Sequence, residues 1–327
     1  MGSFVLPPYV DLPTDYFIVI AWTAAWGVAH TLMYSLVITP LAHVWFVLPK
    51  KAADQAAAAH PATPTKASPA KKRKNKKSPS KKAEETASFI QPEAPVVDEA
   101  RAVNNLRKKF SNAFWKCFVY SVSALIGIYV LSEDWWWLEP KEWMLDYPDP
   151  TSWRMKTYYY VGFGNYLYQT LTLMSHPKQS DFLAVCIHHI STVLVMVASY
   201  AFGFTRIGVI ILLLHDFSDP FMEFAKCNLY LKRQKVADNF FTMFAVVFLS
   251  TRNVLFPYVI LSAHEHSILE DGSRMPRGFS FWGDFCLGCL WVLAALNVYW
   301  GYLIVKIAVK TIITGEVEGD IREEDDE

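Results

Sequence analysis

The sequence predicts an all-α fold, a polytopic membrane helix bundle of about seven transmembrane helices around an internal cavity. Three observations carry this expectation. Hydrophobic residues make up 53% of the 327-residue chain and aromatic residues 15%. The apolar residues gather in runs of about 20, the length that spans a hydrocarbon core. Charge is segregated from those runs, with Lys and Arg crowded into residues 50–82 and acids into the C-terminus. Formal net charge is zero, so the overall balance does not draw the chain to nucleic acid.

Spans are expected near 16–39, 112–131, 157–174, 182–200, 205–223, 239–262 and 283–309. The first run is long and lacks a basic n-region, so it reads as a retained span rather than a cleaved signal. A short turn around Gly203 joins the fourth and fifth spans and makes them antiparallel neighbours. Orientation follows from Lys and Arg, which favour the cytosolic side. The tract 50–82 is therefore expected in the cytosol and the N-terminus in the lumen. Alternation then places the loop with Lys226, Lys232, Arg233 and Lys235 in the cytosol, together with the acidic tail. The Trp-rich stretch "EDWWWLEPKEWMLDYP" falls on the lumenal side, where its rings suit an interfacial belt.

Four regions result: 1–49, a short lumenal N-terminus and first span; 50–100, a low-complexity basic linker; 101–311, the membrane domain; and 312–327, the acidic cytosolic tail. The linker is rich in Ala, Pro, Ser and Lys and is expected to be disordered, because such a composition cannot bury a core. Cys117, Cys186, Cys227, Cys286 and Cys289 lie in or beside apolar runs, unlike a secreted disulfide framework. The Cys286-x-x-Cys289 pair has no second pair beside it and reads as helix packing.

The fifth span, "LLLHDFSDPFMEFAKCNLY", carries His215, Asp216, Asp219 and Glu223. An ionised Asp at a helix centre costs about 3 kcal/mol on insertion scales. On a continuous helix Asp216, Asp219 and Glu223 would form one stripe, with His215 and Asp219 sharing a face. The fourth span carries His188 and His189, with Thr192 one turn on. Adjacent residues on a helix point about 100° apart, so the two imidazoles serve different partners. Counting residues from the turn at a 1.5 Å rise brings the histidine pair level with His215 and Asp219. Acid–base or nucleophilic chemistry, a metal site and a purely structural network all use such residues. Arg252 and Asn253 in the sixth span either face this cavity or bond a neighbouring helix.

Residues 188–230, "HHISTVLVMVASYAFGFTRIGVIILLLHDFSDPFMEFAKCNLY", resemble the Lag1p motif of ceramide synthases in the TRAM–Lag1–CLN8 superfamily. The wider resemblance runs over roughly residues 100–311. The HH-x-x-T and HD-x-S-D combination, carried by His188, His189, Asp216 and Asp219, favours the acyltransferase branch. The resemblance implies transfer of a fatty acyl group from acyl-CoA to the amine of a long-chain sphingoid base, giving ceramide. It implies a multi-pass protein of the endoplasmic reticulum membrane with a cytosolic C-terminus. Catalytic roles are then expected for His188, His189, His215, Asp216 and Asp219. No metal and no cofactor are expected beyond acyl-CoA as co-substrate. Expected partners are acyl-CoA, the sphingoid base, membrane lipid, and a homodimer or an accessory membrane subunit. The alternatives are a non-catalytic lipid-binding, sensing or transport protein of the same fold, and a metal-dependent membrane enzyme. The homeobox-like segment of several animal members is missing, and residues 50–100 are low-complexity instead. The resemblance places part of the acyl-length choice in the loop near 263–282.

The chemistry of the residues agrees with that expectation. Amide formation needs a neutral amine, and a buried imidazole is a suitable base. A carboxylate on the other ring nitrogen would fix its tautomer, as in a triad. On a covalent route an imidazole attacks the thioester and passes the acyl group to the amine. Helical geometry does not choose between the histidines; we assign His188 as acyl acceptor and His189 as orienter or proton shuttle. The CoA phosphates need cations, for which Lys226, Lys232, Arg233 and Lys235 stand near the cytosolic mouth.

Overall fold

The computed structural model describes residues 10–47, 94–132, 135–143, 151–174, 180–266 and 277–314. The basic tract 50–82, the tail beyond 314 and residues 267–276 of the 263–282 loop lie outside the described residues. The elements are α1 (Leu12–Met33), α2 (Ala94–Ser132), α3 (Trp153–Leu173), α4 (Phe182–Ala201), α5 (Thr205–Asp216), α6 (Asp219–Tyr230), α7 (Gln234–Phe248), α8 (Phe256–His266) and α9 (Arg277–Thr314). The first column continues past α1 through π-helical turns as far as Val47. A π-helical segment, Leu249–Leu255, joins α7 to α8.

Five helical columns are long and apolar enough to cross a membrane: Thr14–Val47, Arg101–Ser132, Phe182–Ala201, Gln234–His266 and Phe281–Ile313. The chain is therefore an all-α polytopic membrane bundle. The other two expected spans coincide with α3 and with the α5–α6 pair; neither is among the five, and α5 and α6 are only 12 residues each. Both lie inside the bundle. Tyr158, Tyr159 and Tyr160 of α3 and Val209 to Leu212 of α5 are buried. The α5 helix packs against α2, α3, α4, α8 and the π-helical segment. The outer face of α4 shows the opposite case: Leu183, Ile187, Ile190, Leu194 and Val197 recur every three or four residues and are exposed.

The expected continuous fifth span is broken at Phe217–Ser218. Pro220 is the cause. It has no N–H for the carbonyl of Asp216, and its ring crowds that carbonyl. Pro257 stands in the same relation to Asn253, inside the π-helical Leu249–Leu255. The break leaves Asp216 as the last residue of α5 and Asp219 as the first of α6, so the expected Asp216–Asp219–Glu223 stripe does not form.

The turn at Gly203 is where the sequence places it. Gly203 has φ 79°, and the Phe204 N–H closes α4 by donating to the Ser199 carbonyl at 2.8 Å. A similar closure ends α6, with the Arg233 N–H donating to the Asn228 carbonyl at 2.9 Å. There the left-handed position is held by Lys232, φ 58°, rather than by glycine.

Candidate active site

Antiparallel α4 and α5 bring the histidines together as the residue count requires. The His188 and His215 ring centroids are 6.4 Å apart. His188 and His189 stand nearly perpendicular, at 88°, and face different neighbours. His188 lies against Trp300 of α9, with centroids 5.4 Å apart. His189 faces α3, its Nδ1 3.1 Å from the Thr170 hydroxyl. Thr170 donates its hydrogen to the Tyr166 carbonyl at 2.7 Å, so it accepts from His189 and leaves Nε2 of that ring unprotonated in the neutral form.

His215 is fixed by a similar argument. Its Nδ1 is 2.8 Å from the Ile211 carbonyl, which can only accept. Nε2 therefore carries a lone pair in the neutral ring and accepts from Asn297 Nδ2 at 3.2 Å. The edge-on Phe256 ring, 4.7 Å away centroid to centroid, closes another side.

The carboxylates are placed differently from the triad-like expectation. Among the described residues, no hydrogen bond joins Asp216 or Asp219 to any of the three histidines. Asp216 turns toward α2 and α3, accepting from Ser123 at 2.5 Å and from Tyr158 at 3.3 Å. Asp219 turns toward the π-helical segment, where Arg252 meets it at 2.6 Å and Ser218 donates at 3.0 Å. Arg252 also donates to the His215 carbonyl, which would otherwise lose a partner at the helix break. The tautomers are thus set by a backbone carbonyl and a threonine, while the carboxylates hold the broken helix in place.

An apolar cavity, about 980 Å³ when the open space at its mouth is counted, lies beside His215 between α3, α4, α5, α8 and α9. Thr192, Met196, Ile207, Ile211, Leu290 and Leu293 line it. Gly208 sits in its wall, where an added Cβ would lie 1.5 Å from the Tyr159 hydroxyl. Cys286 also lines it and, like the other four cysteines, is a free thiol. Among the described residues, no three His, Cys, Asp or Glu side chains gather as a metal-ligand set. Of the four cations expected near the mouth, Lys226 is held by Glu223 at 3.6 Å, while Lys232, Arg233 and Lys235 are exposed at the turn between α6 and α7.

Arg252 was legible as one of two alternatives, and the structure places it in the site. Ser123, Tyr158, Thr170 and Asn297 were missed. The available signal for Asn297 was an amide within an otherwise lipid-grade run, "WVLAALNVYW".

These features define a class, a membrane helix bundle with a buried histidine cluster beside an apolar slot that His215 lines. Comparison with known proteins gives the family. The TLC-domain profile, TRAM–LAG1–CLN8, matches residues 109–306. The chain is 35% identical over 224 residues to ceramide synthase 4 of Homo sapiens, covering 68% of this chain and 55% of that protein. It is 33% identical over 243 residues to Alternaria stem canker resistance protein 1 of Solanum lycopersicum, covering 69% and 76%. It is 31% identical over 235 residues to ceramide synthase LOH1 of Arabidopsis thaliana, covering 67% and 75%. The chain belongs to the TLC-domain family. Its match spans about half the length of the human ceramide synthases.

Proposed function

We propose that this protein is a ceramide synthase, an acyltransferase that moves a fatty acyl group from acyl-CoA to the amine of a long-chain sphingoid base. One observation carries the reading: His215, with the His188 ring 6.4 Å from its own, stands in the wall of an apolar cavity. Its lining, almost wholly apolar, suits a hydrocarbon chain. The names of the relatives support the same substrate class.

The residues are assigned as follows. A lone pair of His188 attacks the thioester carbonyl, the C–S bond breaks, and the sulfur leaves with the ring proton as CoA thiol. The sphingoid amine then attacks the acyl carbon, the bond to the imidazole breaks, and the amine's proton ends on the released ring. His215, its Nε2 lone pair taken by the Asn297 NH2, stands beside His188 as a positioning residue. His189 is oriented by Thr170. Asp216 and Asp219 position His215 by anchoring the two ends of the helix break. The CoA phosphates are assigned to the exposed Lys232, Arg233 and Lys235, with Lys226 beside them. The protein is assigned to the endoplasmic reticulum membrane, with this loop on the cytosolic side.

The test is direct. Purified protein is incubated with acyl-CoA and sphinganine, and ceramide is sought by mass spectrometry. Bound lipid without ceramide would identify a non-catalytic lipid binder instead. Adding acyl-CoA alone tests the covalent step: the protein should gain the mass of one acyl group and release CoA. His188→Ala should abolish the adduct. CoA release that awaits the base would replace the covalent route with direct attack.

A further inference from the structure

Asn297 lies on α9 and is fully buried. The lone pair on His215 Nε2 requires the amide NH2 to face the ring, so Oδ1 points away, and it has no hydrogen-bond partner. Two more polar atoms nearby are in the same condition. His188 Nδ1 and Thr192 Oγ1, one turn apart on α4, also lack partners. Thr192 is buried and shares the cavity wall with His215 and with Leu293, one turn from Asn297. Buried polar atoms without partners are rare, because each carries its full desolvation cost. Arg252 Nε is unpartnered too, on the backbone side of His215; the other three, on α4 and α9, point to a ligand that supplies what they lack.

The chemistry of the three atoms selects that ligand. Asn297 Oδ1 is an acceptor, His188 Nδ1 accepts when the proton is on Nε2, and the Thr192 hydroxyl takes either role. The cluster needs donors. The carbonyl and sulfur of an acyl thioester are acceptors and leave Asn297 Oδ1 unsatisfied. An amine flanked by hydroxyls is donor-rich. Building on the acyl-transfer reading, we infer that Asn297 Oδ1 takes an N–H of the incoming sphingoid amine and holds its lone pair toward the acyl carbon, while Thr192 meets a neighbouring hydroxyl. The amine's second hydrogen faces His188, which receives the proton as the amide bond forms and the bond from the acyl carbon to its carrier breaks. Asn297 touches substrate on this account, and its NH2 keeps His215 in register at the same time.

The test is steady-state kinetics on the purified full-length protein, varying acyl-CoA and base separately. Asn297→Leu should raise KM for sphinganine about tenfold or more, the equivalent of one lost hydrogen bond. KM for acyl-CoA should stay within about twofold, a split that loss of a merely structural contact would not give. A base lacking the terminal hydroxyl, 1-deoxysphinganine, should lose as much as sphinganine. A penalty for sphinganine alone would show that the amide reads the hydroxyl and would overturn the amine assignment. Equal damage to both substrates would mean that Asn297 serves His215 only, which also overturns it. Thr192→Val provides the second variant should Asn297→Leu fail to fold. It should raise KM for the base severalfold and leave KM for acyl-CoA unchanged, and no effect on the base would overturn the acceptor site. Absence of ceramide from the unaltered protein would overturn the acyl-transfer reading itself, an outcome distinct from a normal wild type with a different variant pattern.

Discussion

Replacing Arg252 with methionine should unfold the site before it changes any substrate contact. The Arg252 side chain is 7% exposed and the Asp219 side chain 17%, with 2.6 Å between Nη2 and Oδ1. Removing one partner of a buried ion pair costs about 3–5 kcal/mol, because the other charge is left desolvated. Asp219 keeps the Ser218 hydroxyl, so the lower end, about 3 kcal/mol, applies here. The Asp219→Leu variant strands the guanidinium and should cost a similar amount. The double variant replaces the pair with apolar groups and should return to within about 1 kcal/mol of the parent. The four proteins form a cycle with a coupling energy of about 5 kcal/mol, the two single costs less that of the double. In detergent, at one scan rate, each single variant should melt roughly 6–12 °C lower and the double within about 4 °C of the parent. The double should still turn over slowly, because Arg252 also bonds the His215 carbonyl. Additive single effects, or single variants that melt within about 3 °C of the parent, would refute the claim that this pair clamps the break.

Asp216→Asn keeps the shape of a side chain that accepts from Ser123 and Tyr158 but sets an NH2 against one of those donors. Turnover should fall on the order of 100-fold with the fold retained by circular dichroism, and near-normal turnover would remove Asp216 from the site. Gly208→Val drives a side chain into the space of the Tyr159 hydroxyl, 1.5 Å from an added Cβ, and should push that ring into the slot. A panel of acyl-CoA lengths should shift toward shorter chains, and an unchanged profile in an active variant would move the length ruler elsewhere. Protease treatment of sealed microsomes should remove both the basic tract 50–82 and the tail 312–327. Protection of one with cleavage of the other would overturn the orientation.

The membrane bundle was legible because a hydrocarbon core demands long apolar runs, and that demand is written one residue after another. The level meeting of His188 and His215 was legible too. It needs only a short turn at Gly203 and a constant rise per residue, and the rings stand 6.4 Å apart. Pro220 was visible, but the expectation carried the helix through it. Its missing N–H breaks the helix at Phe217–Ser218. That break turns Asp216 toward Ser123 and Asp219 toward Arg252.

What the tertiary structure alone decided is which neighbour each face meets. Periodicity says which residues share one side of a helix; it does not say how far that helix is rotated against its partners. Arg252 lies 33 residues from Asp219, and Asn297 lies 82 from His215. No local spacing links either pair. Each is set by the packing of α5, α6, α9 and the π-helical segment, and with them the tautomer of His215 and the unsatisfied oxygen of Asn297. The sequence by itself determined which polar groups enter the membrane and at what depth, because rise and hydropathy act along the chain. The pairing of those groups was decided in three dimensions, because a buried charge or amide must find its partner across helices.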